Sequence, residues 1–268
     1  MDKLQPETLM AQVMSNPKYQ SITEDLVLRL SQEALSNGLS GKPAVKFVRN
    51  KLHQVGGAYF KKNIDYAQVE HNLAHLPNNL QAIEVREFCR QTMRSHASTA
   101  ERLPVLETFF HTCLASIAPV TSILDLACGL NPLAIPWMPL AETFQYDACD
   151  IYLDMLALIN TFFTHFNLNG GAKPCDLINA VPAEQAQVAF VLKSIPCLEQ
   201  LDKKIAIHLL EDIRAEHILV SFPVHSLGGR KIGMENFYLG RFTEILAEKA
   251  WQVHEFHFKT ELAFLVTK

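Results

Sequence analysis

The sequence predicts an α/β fold: a doubly wound, seven-stranded sheet preceded by an all-helical N-terminal part. Three observations predict it. Residues 1 to about 105 carry helical periodicity and nothing that alternates like a strand. From Ser122 onward, short apolar runs alternate with helical stretches, the pattern of parallel strands and crossover helices. The last two runs, 251–258 and 261–267, are separated only by Lys259 and Thr260, which makes them a hairpin and adds one antiparallel strand.

The chain has 268 residues, enough for one large domain or two small ones, and the pattern divides it into 1–105 and 106–268. No stretch of 18 apolar residues occurs, and Met1 to Met14 contains acids and lacks a signal-like apolar core, so a cytoplasmic protein with no membrane partner is expected. The six cysteines form no C-x-x-C pair, which gives neither a zinc site nor a disulfide frame, and no metal is expected. Net charge is −4, against indiscriminate nucleic-acid binding. Its distribution is uneven. Residues 34–64 contain no acid, while Lys42, Lys46, Arg49, Lys51, Lys61 and Lys62 are basic, and Arg86, Arg90, Arg94 and Arg102 recur at helical intervals. Either patch reads as a phosphate-neutralising face or as a solvated, salt-bridged helix surface.

In chain order, Thr23 to Leu35 reads as a helix with Leu26, Val27, Leu30 and Ala34 on one side, ended by Ser36-Asn37-Gly38. Lys42 to Tyr59 and Leu80 to Met93 are further helices. Gly56-Gly57 interrupts the first of these at a cost of about 2 kcal/mol relative to alanine, so a bend is expected there, with Tyr59 turned towards a ligand. Residues 95–103 read as a helix start with Ser98 or Thr99 as N-cap. That helix is either a well-capped linker or the joint between the two parts, with Arg102 facing a ligand carboxylate.

The α/β part begins with Ser-Ile-Leu-Asp-Leu-Ala-Cys-Gly-Leu-Asn-Pro-Leu-Ala, residues 122–134: a strand, a tight turn at Cys128 and Gly129, and a helix opening at Pro132. Pro136 and Pro139 make that helix short or kinked. In a doubly wound sheet this turn opens at the carboxyl end of a central strand, where ligands bind. Only Gly129 is present, so the spacing expected for a pyrophosphate is absent. Asp125 precedes the turn, and Asp150 closes the next run, 144–149, where an acid can accept both hydroxyls of a ribose. A nucleoside without phosphates, S-adenosylmethionine, fits these features.

Further strands are placed at 172–176, 187–192 and 217–222, with helices at Asp154 to Phe166 and Glu199 to Ile213. Five βα units with a terminal hairpin are typical of class I methyltransferases, whose sheets are Rossmann-like. The strand ends carry the candidate chemistry. Asp176 either accepts from an adenine amino group, with Leu177 against the ring, or caps the following segment. Lys193 closes a strongly apolar run and needs a carboxylate, phosphate or solvent partner. After the fifth strand, Pro223 to Gly233 contains three glycines with Arg230 and Lys231, a loop suited to folding over RNA or a plain surface loop. His71 and His75 have zinc-ligand spacing without the intervening Glu and read as a surface pair. His254 and His257 fall on opposite faces of a strand, and no G-x-S-x-G elbow is present.

Four stretches together resemble one family. Ser-His-Ala-Ser-Thr-x-Glu-Arg-Leu (95–103), Leu-Asp-Leu-Ala-Cys-Gly-Leu-Asn-Pro-Leu-Ala (124–134), Cys-Asp-Ile (149–151) and Ser-Phe-Pro-x-x-Ser-Leu-Gly-Gly-Arg (221–230) resemble the aminoglycoside-resistance 16S rRNA methyltransferases that act on N7 of guanosine 1405. Leu52-His53 with Gly57-Ala58-Tyr59 also looks like that family, so the resemblance runs from about residue 50 to the end. It implies a cofactor pocket formed by Tyr59, Arg102, Ala127, Gly129, Asp150, Asp176 and Leu177, and places Lys193, Glu199 and Arg230 at the target nucleotide, with Glu199 orienting one of the two cations. It implies S-adenosylmethionine as cofactor, the assembled 30S subunit as partner, a helical N-terminal part that docks on folded RNA, and a monomer. The net acidity is one departure from that picture.

Three alternatives remain at this point. A cytosine C5 methyltransferase would use Cys197, after Pro196, as nucleophile. A non-catalytic RNA-binding protein of the same fold would keep the basic face without binding cofactor. A nicotinamide dehydrogenase is disfavoured by the missing pyrophosphate glycines.

Overall fold

In the computed structural model, which describes residues 4–57, 64–224 and 233–268, a seven-stranded sheet is covered on both faces. The strands are β1 (Val120–Leu126), β2 (Leu140–Asp150), β3 (Asn169–Pro174), β4 (Ala186–Leu192), β5 (Ala215–Pro223), β6 (Gln252–His257) and β7 (Glu261–Thr267), in the order β3-β2-β1-β4-β5-β7-β6. β7 runs antiparallel to both of its neighbours, and the other pairs are parallel. Every expected strand is present within a few residues. The order reverses between β1 and β4, so the loops that follow β1, β2 and β4 open into one crevice.

Alternation along the strands separates two apolar layers. Val188 and Phe190 of β4 face a cluster that also contains residues of α7 (Leu106–Cys113), α8 (Leu153–His165) and the N-terminal helices. Ala189 and Val191 face a cluster built on α10 (Ile205–Asp212) and α11 (Met234–Leu246). The N-terminal helices are α1 (Pro6–Met14), α2 (Glu24–Ser36), α3 (Gly41–Leu52), α4 (Tyr66–Ala74), α5 (Ile83–Met93) and α6 (Ala97–Arg102). Leu9 of α1, Val48 of α3 and Ala263 of β7 belong to the same cluster, so these helices close over the sheet.

Several local expectations are corrected. The residue N-terminal to α6 is His96; Ser98 and Thr99 lie inside the helix, where the Thr99 hydroxyl reaches back to the carbonyls of Met93 and His96. The helix expected over Glu199 to Ile213 begins only at Ile205, after a short α9 (Ile195–Leu198). Of the two readings of the arginine patch, the salt-bridged surface is the one found, without Arg102: Arg86 and Arg90 both pair with Glu107 and lie over the Trp137 ring, Arg94 pairs with Glu87, and Arg102 is internal. After β1 the chain forms a 3₁₀ segment, Asn131–Trp137, with Pro132 in its first turn and Pro136 inside it, the short helix that the prolines require. The Gly56-Gly57 break is a π-helical turn, His53–Gly57, continuing α3.

Candidate active site

The crevice is built outward from the turn after β1. Ala127 and Gly129 both take left-handed backbone angles, φ +52° and +53°. Glycine is required at the second position because a Cβ there would lie 2.9 Å from Cε1 of His96. The end of β2 fixes the turn: the Cys128 amide donates to the Cys149 carbonyl (3.0 Å) and the Gly129 amide to Asp150 Oδ2 (2.9 Å), while Ile151 N donates to Asp150 Oδ1 (2.7 Å). Asp150 is 8 % exposed, and burial raises its pKa while these amides oppose the rise. Each carboxylate oxygen can accept more than one hydrogen bond, so the anchored group can still receive hydroxyls from a ligand.

A cleft enclosing about 720 Å³, part of it open to solvent, lies beside this turn. Leu26, Ile151, Leu177, Leu192 and Leu201 give it apolar walls, and Ala127, Asp150, Asp176, His96 and Lys193 also line it. Gly56 admits Tyr152 to the wall, since a Cβ at Gly56 would lie 2.6 Å from Cε2 of that ring. Lys193 is the one Lys or Arg among the described lining residues, and its ammonium is already engaged by Ser98 O (3.1 Å), Glu101 Oε2 (3.1 Å) and Glu261 Oε2 (3.3 Å). An acceptor carboxylate in an apolar cleft without a cation for a phosphate fits a nucleoside whose sugar hydroxyls are free, as S-adenosylmethionine's are.

The site residues expected from the sequence are distributed unevenly. Ala127, Asp150, Asp176, Leu177 and Lys193 all line the cleft, with Gly129 in the turn beneath it. Tyr59 and Arg230 lie outside the described residues. Arg102 departs from the expectation that it faces a ligand carboxylate. It is 1 % exposed, donates to both oxygens of Glu261 (2.6 and 3.0 Å) and to Asn131 Oδ1 (2.7 Å), and is not among the residues lining the cleft. Glu199 does not orient Lys193; it accepts from Arg241 of α11 at 2.5 Å.

The chain matches the FmrO ribosomal RNA methyltransferase family model over residues 15–265. The chain belongs to that family. It is 30 % identical over 267 residues to a 16S rRNA (guanine(1405)-N(7))-methyltransferase of Micromonospora rosea, covering 98 % of this chain and 96 % of the relative. A Serratia marcescens protein of the same name is 30 % identical over 256 residues, covering 96 % of each. Among solved structures, the 16S rRNA methyltransferase RmtF in complex with S-adenosyl-L-homocysteine superposes with TM-score 0.82 and 30 % identity, over 100 % of this chain and 99 % of that one. The family match thus reaches well before residue 50, into helices whose sequence carried no recognisable motif.

Within this family member, three site features escaped the sequence reading. Glu261, 0 % exposed at the start of β7, joins Arg102, Lys193 and the Ser221 hydroxyl (2.5 Å) in one buried network, with its pKa lowered because the neighbouring Arg102 and Lys193 outweigh its burial. His96 lines the cleft, and burial together with the Lys193 charge holds its pKa down at about 4, so it is neutral at physiological pH. Arg29 of α2 reaches Asp176. The only signal for Glu261 was an acid opening an otherwise apolar strand. Arg29 carried none.

Proposed function

We propose that this protein transfers the methyl group of S-adenosylmethionine to N7 of guanosine 1405 of 16S rRNA in the 30S subunit, and so confers aminoglycoside resistance. One observation carries the reading: in a chain of the FmrO family, the crevice at the strand ends presents Asp150, anchored on the Gly129 amide, within apolar walls. Relatives that cover nearly the whole chain bear this activity as their name. The protein acts as a monomer in the cytoplasm; among the described residues, no helix is long and apolar enough to cross a membrane. Residues 1–105 dock on RNA and 106–268 carry the transfer.

The cofactor supplies an electrophilic methyl on a cationic sulfonium. Asp150 accepts from the ribose hydroxyls, Leu177 packs on the adenine and Asp176 accepts from its amino group. The left-handed turn at Ala127 and Gly129 brings backbone close to the ligand. Guanine N7 has an in-plane lone pair and no proton to lose, so the residues here orient two partners and need not remove a proton. Lys193 lines the cleft with its charge balanced by Glu101 and Glu261, and it acts at the target nucleotide. A guanine inside helical RNA must leave its stack to reach the cleft. The methylated base carries a positive charge that repels a cationic aminoglycoside.

The test is transfer of labelled methyl from S-adenosylmethionine to purified 30S subunits and, separately, to naked 16S RNA, with mapping of the product. Label as N7-methylguanine at position 1405, with 30S preferred, is expected; no transfer to either overturns the assignment. Cys197→Ala serves as the control against a C5 mechanism. Cys197 lines the cleft, its thiol directed to the Lys193 carbonyl at 3.5 Å, and the variant is expected to keep transfer within about threefold, whereas an enzyme with a nucleophilic thiol loses it.

A further inference from the structure

The carboxylate of Asp176 is held from both halves of the chain. Arg29 of α2 donates Nε to Asp176 Oδ2 at 2.6 Å and Nη2 to Oδ1 at 3.3 Å, a two-pronged pair that fixes the plane of the carboxylate as well as its position. Asp176 is 9 % exposed, so the pair is shielded from water on the acid's side. Oδ1 also receives the Ile178 amide at 3.2 Å, so among the described residues Oδ2, bonded to Arg29 alone, keeps the greater acceptor capacity of an acid that lines the cleft.

The placement of α2 is itself fixed at the cleft. Ile22 bridges to Tyr152, Thr23 N donates to Ile151 O (2.9 Å) and Leu153 N donates to Ser21 O (2.7 Å), so the chain entering α2 is stitched to the three residues that follow Asp150. Leu26 and Arg29, three residues apart and therefore on one side of the helix, reach the cleft wall and its acid respectively. A helix legible only as an apolar periodicity thus supplies part of the cofactor pocket.

We propose that Arg29 is a specificity-determining positioning residue: it locks the Asp176 carboxylate in the orientation that reads the amino group of the adenine. This rests on the proposed use of S-adenosylmethionine. Without Arg29 only the Ile178 amide holds the carboxylate, its plane is no longer fixed, and the distinction between an amino group and a carbonyl at that ring position weakens. The cofactor selectivity of the methyl-transfer half is therefore set from a helix of the RNA-docking half.

Calorimetric titration of the full chain with S-adenosylhomocysteine and with S-inosylhomocysteine, in which a carbonyl replaces the amino group, tests this. Wild type is expected to favour the adenosyl compound by roughly tenfold, the loss of one charge-assisted hydrogen bond. Arg29→Met is expected to lower the ratio several-fold and to raise KM for S-adenosylmethionine while kcat at saturating cofactor is kept. Arg29→Lys, which keeps the charge but not the fork, is expected to fall between, and it carries the test if the Met variant fails to fold. An unchanged ratio in both variants, with or without lower thermal stability, makes Arg29 merely structural and overturns the proposal. Equal binding of both ligands by wild type overturns it too, by removing Asp176 from the adenine while leaving methyl transfer intact. Only the absence of any S-adenosylhomocysteine binding by wild type strikes at the proposed function itself.

Discussion

At Gly129 two constraints coincide: a left-handed backbone, and a neighbour that leaves no room for a methyl group. They are separable. A Cβ at φ +53° costs about 1 kcal/mol or more whatever surrounds it, and the overlap with the His96 ring adds a packing term of similar size. Gly129→Ala is therefore expected to lower stability by about 2–3 kcal/mol in urea denaturation, and His96→Ala introduced with it is expected to recover only the packing part. A double variant as unstable as the sum of the two single ones would show that the ring and the turn do not press on each other. Ala127 and Lys193, also left-handed, lack glycine's freedom, so the turn after β1 and the end of β4 both hold strained residues where their strands meet the cleft.

Between elements, the decisive tie is the buried network of α6, β4, β5 and β7. Glu261 receives two hydrogen bonds from Arg102, one from Ser221 and the close approach of Lys193, all with almost no exposed surface. Breaking such a set from one side is costly because it leaves buried charges without a counterion. Glu261→Gln is expected to destabilise the protein by about 3 kcal/mol, and Arg102→Met combined with Glu261→Leu by less than the single substitution; the denaturation midpoints of the three variants check the order. This network also marks where the sequence stopped being informative. The central strands were legible because they are apolar runs set against helical periodicity, which the edge strands β3 and β6 are not, and the Asp150 and Gly129 turn was legible because its two parts close successive apolar runs only 21 positions apart. Arg102 and Glu261 are 159 positions apart, and Arg29 and Asp176 are 147 apart. Nothing local distinguishes an arginine that will meet a ligand from one that will meet a distant carboxylate. Hence Arg102 was expected at a ligand, Glu199 at Lys193 or Arg230, and Arg29 nowhere.

Across the whole molecule, two buried groups near the cleft, His96 in its wall and Asp125 two residues before Ala127, have titrations that oppose each other. Asp125 accepts from Tyr146 Oη (2.7 Å) and Asn131 (2.8 Å) on Oδ2 only, and burial pushes its pKa up to about 6 from an ordinary 3.8. Between those values the folded chain binds the proton that the unfolded chain has released, so the stabilisation is complete below pH 4 and is lost as pH rises through 6. His96 is the reverse, with a folded pKa near 4 against 6.5: the unfolded chain binds the proton, so stability grows as pH rises from 4 to 6.5. The two contributions therefore oppose each other in the wild-type protein. Single variants expose them. Relative to wild type, Asp125→Asn is expected to gain stability between pH 4 and 6, and His96→Gln to lose it between pH 4 and 6.5, in urea midpoints taken at half-unit steps. Differences that do not vary with pH would mean that neither group changes its proton affinity on folding.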